Sequence, residues 1–134
     1  MTPSLVALCL FAGWTMLLVV SLAGYRVYIS QGTGKAVNSF LPGGTDLDPL
    51  GQRLTRAHLN CLELLPVVAA VILSAAVAGR ADVTDGLAMP LLLARVAQSA
   101  VHIGSTSPPA VLVRATLFVV QLVIVAIWIR GLLM

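Results

Sequence analysis

Arg53-Leu-Thr-Arg56-Ala-His58-Leu-Asn60-Cys-Leu-Glu63-Leu-Leu-Pro66 carries a cluster of charge straight into an apolar segment long enough to enter a bilayer. Ionisable groups at such a boundary are costly to bury, so each needs a partner, an aqueous face or a ligand. At about 100° per residue, Arg53, Arg56, Asn60 and Glu63 fall within roughly 80° of one another on a helix, while His58 and Cys61 point elsewhere. The stretch therefore predicts a membrane helix that begins with one polar stripe.

Outward from that helix, composition decides the class. Hydrophobic residues make up 59% of the 134 and charged residues 10%, with a mean hydropathy of +1.01, which excludes an ordinary soluble domain. A span needs about 20 mostly apolar residues. Apolar segments lie at 5–28, 54–78, 87–103 and 110–133, and with their flanks they predict helices at about 5–28, 50–78, 86–104 and 109–132. The expected fold is an all-α integral membrane protein, an antiparallel four-helix transmembrane bundle forming one domain over residues 1–134. Little chain is left for a soluble catalytic module, so any chemistry must come from the helices and short loops.

Ser21-Leu22-Ala23 loosely resembles a signal-peptide cleavage site, but the apolar run before it is too long and lacks a basic start, so the first segment is expected to be a retained helix. Cys9 and Cys61 show neither CxxC nor metal-ligand spacing and read as buried, inert thiols; no metal site is expected. The net charge of +3 reflects scattered residues rather than a nucleic-acid patch. Arg26, Lys35, Arg53 and Arg56 flank the Gly/Pro-rich first loop and Arg114 follows the third, against Arg80 and Arg130 on the other side. The positive-inside rule then makes the first and third loops cytoplasmic and sends both termini outward.

Antiparallel helices bring the end of the first, the start of the second, the end of the third and the start of the fourth to one membrane face. Arg26, the Arg53–Glu63 stripe, His102 and Arg114 all lie there. Arg95, Gln98 and His102 share a stripe on the third helix, as do Arg114, Gln121 and Trp128 on the fourth. Arg95 sits in mid-span, where insertion scales set about 2.5–3.5 kcal/mol against arginine, and Glu63 is the only acid inside a span. An ion pair between them is the natural expectation, although antiparallel folding would set Arg95 some turns deeper.

Each group also has a purely structural reading. Arg53 and Arg56 can snorkel to headgroups, Gln98 and His102 can serve interhelical hydrogen bonds, and the tyrosines and tryptophans can form interfacial belts. Pro66 reads as a kink. The functional reading is a pocket for a small anion. Several guanidiniums with one carboxylate suit a zwitterionic peptide, and a nearby guanidinium would lower the pKa of a ligand thiol. Glutathione has that inventory of groups.

Arg53-x-x-Arg56-Ala-x-x-Asn60-x-x-Glu63-x-x-Pro66 resembles the second-helix signature of the MAPEG family, the membrane-associated proteins in eicosanoid and glutathione metabolism. Ala94-Arg95-Val with Gln98 and His102 resembles its third helix, and length and helix order agree. The resemblance implies a homotrimer with glutathione at subunit interfaces near the cytosolic side, and a small lipophilic substrate arriving from the bilayer. Carried over by position, Arg26, Arg53, Arg56, Asn60, Glu63, Arg95, Gln98 and His102 would form the glutathione site, and Arg114 would activate the thiol. This chain departs from the pattern at His102, where family enzymes commonly carry tyrosine, and at Gln98, which is histidine in some members. Arg114 also lies beyond a Ser-Thr-Ser-Pro-Pro turn. A bacterial-type member would sit in the inner or plasma membrane.

Two rivals stand beside a glutathione transferase or peroxidase. One is a non-catalytic member that binds or presents a lipid. The other is a small multidrug transporter, which typically relies on a carboxylate in its first span; this first span has no acid.

Overall fold

The computed structural model describes residues 1–134 and contains four membrane-length helices, α1 (Pro3–Thr33), α2 (Pro49–Val77), α3 (Asp82–Gly104) and α4 (Pro108–Leu133), with no strand. Their starts follow from local chemistry. Pro3, Pro49 and Pro108 open α1, α2 and α4, where a missing N–H costs nothing. Thr2 and Asp48 cap α1 and α2 by accepting from Leu5 N at 3.4 Å and Gly51 N at 3.2 Å. The start of α3 has no such cap, and Asp82 and Asp85 instead place negative charge in its first turn.

The helices overrun the apolar segments. α1 continues to Thr33 because nothing interrupts its backbone ladder before Gly34, whose φ of 72° ends it in the left-handed conformation. α3 begins at Asp82 and absorbs Gly86, which composition alone reads as the edge of a turn. With 31 and 29 residues, α1 and α2 are each roughly 45 Å long against a hydrocarbon layer of about 30 Å, so their polar ends project beyond it.

Helices α1, α2 and α3 pack on one another, while α4 runs along α3, touches α2 briefly and does not meet α1. Phe11, Leu18, Cys61, Leu64, Val68, Ile72, Leu91, Ile124 and Trp128 belong to the continuous core. Trp128 is fully buried rather than placed in an interfacial belt, because its stripe on α4 faces α3 and α2 rather than the headgroups. The expectation for the thiols divides: Cys61 is buried, but Cys9 is exposed on the outer face of α1.

Both ends of the bundle are tied. At the end carrying the termini, Ser4 Oγ lies 2.7 Å from Thr84 Oγ1 and Ser4 N donates to Asp85 at 3.0 Å, while Arg80 donates to the carbonyls of Gly131 and Leu132. The last two bonds satisfy acceptors left free at the end of α4. At the opposite end, Tyr25 Oη donates to Asp48 at 2.7 Å, so the residue that caps α2 also holds α1. The first loop folds back on itself through Lys35 Nζ and Asp46 at 2.5 Å, with Lys35 also 4.7 Å from the Phe40 ring centroid. Gly44 is required where the loop crosses α2: its φ is +70°, and a Cβ there would stand 2.5 Å from Thr55 Oγ1.

Candidate functional site

The loop-rich end gathers polar groups from α2, α3 and α4. Arg53 Nε donates to the Ile103 carbonyl at 2.8 Å, satisfying an acceptor in the last turn of α3. Next to it, Pro49, Gln52, Arg53, Arg56 and Thr106 line a basic cleft of about 220 Å³. A second cleft of about 220 Å³ is lined by Asn60, Gln98, His102, Val111, Arg114, Ala115 and Phe118. Its lining is mixed: amide and imidazole groups from α2 and α3 meet a face of α4 that carries Arg114 together with Val111, Ala115 and Phe118.

Within the second cleft Arg114 Nη1 lies 2.8 Å from His102 Nδ1. Deeper, Gln121 Nε2 donates to Gln98 Oε1 at 2.9 Å and to the Leu117 carbonyl at 2.8 Å. Gln98 and Gln121 are buried, and their bond satisfies one group of each amide, while Gln121 Oε1 has no partner.

Arg95 is fully buried and does not pair with Glu63. It donates to the carbonyl and side-chain oxygens of Asn60, and its guanidinium stands 5.6 Å from the Phe11 ring centroid. The expected ion pair fails because of face, not depth. Arg95 meets Asn60 directly, so it lies level with this part of α2 rather than several turns below it. Glu63, three residues on and about 60° further round the helix, turns outward and is exposed. The α2 stripe is thereby divided: Arg53 and Asn60 bind α3, and Arg56 and Glu63 form an open edge.

Arg26 stands apart from this group. Its Nη2 donates to the Leu41 carbonyl at 3.2 Å, and with Val19, Leu22, Ala23, Val27 and Val37 it lines a groove between α1 and the first loop. The chain thus brings Arg53, Arg56, Asn60, Gln98, His102 and Arg114 to two clefts, buries Arg95 beneath them, and leaves Glu63 on an outer face. The apolar group of Val111, Ala115 and Phe118 is the part that reading the polar residues missed. Its spacing of four and then three residues, flanking Arg114, was the available signal.

Four membrane-length helices with a divided polar stripe and paired clefts at one end define a polytopic membrane protein whose candidate site lies at helix ends. The MAPEG family model matches residues 4–134, nearly the whole chain, and the protein belongs to that family, which includes glutathione-dependent transferases and peroxidases. No curated protein and no solved structure matches the chain.

Proposed function

We propose that this protein is a glutathione-dependent membrane enzyme of transferase or peroxidase type acting on small lipophilic electrophiles. The carrying observation is the mixed cleft, in which Arg114 lies beside the apolar side chains Val111, Ala115 and Phe118 on α4. Glutathione would supply the thiol that serves as nucleophile or reductant. Arg53 and Arg56 fit its carboxylates, since guanidinium offers paired donors to such groups. Asn60 and Gln98 add hydrogen-bonding groups, and Arg114 would stabilise negative charge on sulfur while Val111, Ala115 and Phe118 receive the lipophilic partner.

The fit of the donor set rests on Glu63 and Arg56, which are exposed on one chain. An exposed carboxylate within a span is costly in hydrocarbon, so it calls for a partner from outside the chain. In a homotrimer that partner would be a neighbouring subunit or the ammonium of glutathione bound between subunits. Arg26, turned away from the α2–α3–α4 clefts, would then serve a neighbour's site. The first and third loops would be cytoplasmic, with the termini outward.

One observation favours the lipid-binding, non-catalytic alternative: Val111, Ala115 and Phe118 give the cleft an apolar surface on α4 that would hold a lipid without any reaction. Calorimetric titration of the purified protein with glutathione and S-methylglutathione in one buffer tests the binding claim. Saturable binding is expected, and its absence up to millimolar concentration would leave the lipid-binding reading.

A further inference from the structure

The contact between Arg114 Nη1 and His102 Nδ1, 2.8 Å long, has only one arrangement of hydrogens. A guanidinium has five N–H donors and no acceptor, so it must donate. Nδ1 of His102 must therefore be the acceptor, which requires a neutral ring with its proton on Nε2. Nε2 makes no hydrogen bond within the chain and is not sealed in the interior, and the residue lines the cleft. The ring's one hydrogen-bonded neighbour is the cation Arg114 from α4. No carboxylate of the chain bonds it.

We propose that His102 is a positioning residue: as the neutral Nε2–H tautomer it holds the Arg114 guanidinium in the cleft. The role follows from the reach of a long side chain. Arg114 is half-buried at the start of α4, where an arginine free to rotate would turn toward headgroups and water. The hydrogen bond that Nη1 donates to the ring nitrogen keeps the guanidinium in the cleft with Asn60 and Gln98 instead. The proposal rests on the preceding functional reading only for its effect on turnover; the tautomer and the clamp do not depend on it.

The test combines spectroscopy with kinetics. Ring-¹⁵N-histidine protein in lipid nanodiscs would give long-range ¹H–¹⁵N spectra of both histidines, His102 being assigned as the set lost in His102→Asn. The neutral Nε2–H pattern is expected at neutral pH, and Arg114→Leu should shift it toward a mixture of tautomers. An Nδ1–H pattern, a doubly protonated ring, or a spectrum indifferent to Arg114→Leu would overturn the proposal whatever the activity. In turnover assays His102→Leu should lower kcat/KM on the order of tenfold, the effect of one charge-assisted hydrogen bond. His102→Asn, which keeps an acceptor near the Nδ1 position, should restore most of it, and His102→Leu should cost nothing further in an Arg114→Leu background. Additive losses in the double variant would also overturn it. If wild-type protein shows the expected spectra but no turnover, the enzyme reading fails and the clamp stands.

Discussion

Arg95 donates from Nη1 to both the carbonyl and the side-chain oxygen of Asn60, and so joins the middle of α3 to α2 beneath the polar clefts. No carboxylate bonds it, and its Nε and Nη2 have no partner. The bundle therefore encloses a charge satisfied mainly by one amide, one carbonyl and the face of Phe11.

That arrangement makes the two partners unequal. Asn60→Leu leaves the Arg95 charge with less compensation and is expected to destabilise by about 3–5 kcal/mol, whereas Arg95→Met removes the charge and fills similar volume, giving a neutral or stabilising change. Thermal unfolding of both variants in the same lipid nanodiscs checks the asymmetry. A large loss in Arg95→Met would mean that the guanidinium is better compensated than its contacts indicate.

Arg53 and Arg56 are also predicted to separate. Arg56 is exposed on the basic cleft and bonds no other side chain, so Arg56→Ala should weaken glutathione binding by about 1.5–3 kcal/mol, the range for hydrogen bonds to charged groups, with little effect on unfolding. Arg53 in addition bonds Ile103, so Arg53→Ala should lower both affinity and melting temperature. Calorimetry and thermal unfolding on the two variants give the comparison, and unchanged affinity would remove Arg56 from the site.

Arg114→Ala is expected to abolish most turnover while retaining glutathione binding, because Arg114 serves the sulfur and the α2 arginines serve the carboxylates. Steady-state assays with an aryl halide and a lipid hydroperoxide, paired with calorimetry, measure both quantities. Equal activity in variant and wild type would rule out Arg114 as the thiol activator.

The first loop carries a pH-dependent latch. The Lys35 ammonium bonded to Asp46 holds that carboxyl below the ordinary value of 3.8, with help from the Leu41 N–H. A lowered folded-state pKa contributes stability above the unfolded value that is lost as pH falls through the folded one. The loop should therefore resist proteolysis near neutrality and loosen only as pH falls through the lowered Asp46 value, which lies under 3.8. Asp46→Asn should be open at both values, and equal cleavage of wild type at neutral and acid pH would contradict the latch. Pepsin, active at the acid end, and a neutral protease compared on variant and wild type provide the measurement.

How far the site was legible differs residue by residue. Arg53, Arg56, Asn60 and Glu63 were visible as one stripe because helical periodicity is a local property. Their division into a bound edge and an open edge was not, since it depends on which direction α3 approaches. The His102–Arg114 contact could be placed at one membrane face by counting helices, but the bond itself needs the turn at residues 105–107 to bring the end of α3 against the start of α4. Trp128 shows the same limit: an aromatic near a span's end suits both a belt and a core, and only packing along α3 decides.

By itself the sequence determined that the chain has four membrane-length helices, where α1, α2 and α4 start to within a few residues, and that Arg26, Arg53, Arg56 and Arg114 collect at one end. These follow from hydropathy, capping and the high cost of charge in hydrocarbon, all of which act over a few residues. Only the tertiary structure decided that Arg95 binds Asn60, that Glu63 faces outward, and that Arg114 meets His102. Those pairings depend on the rotation and depth of helices separated by loops, which are set by side-chain packing across the whole bundle rather than by any one stretch of it.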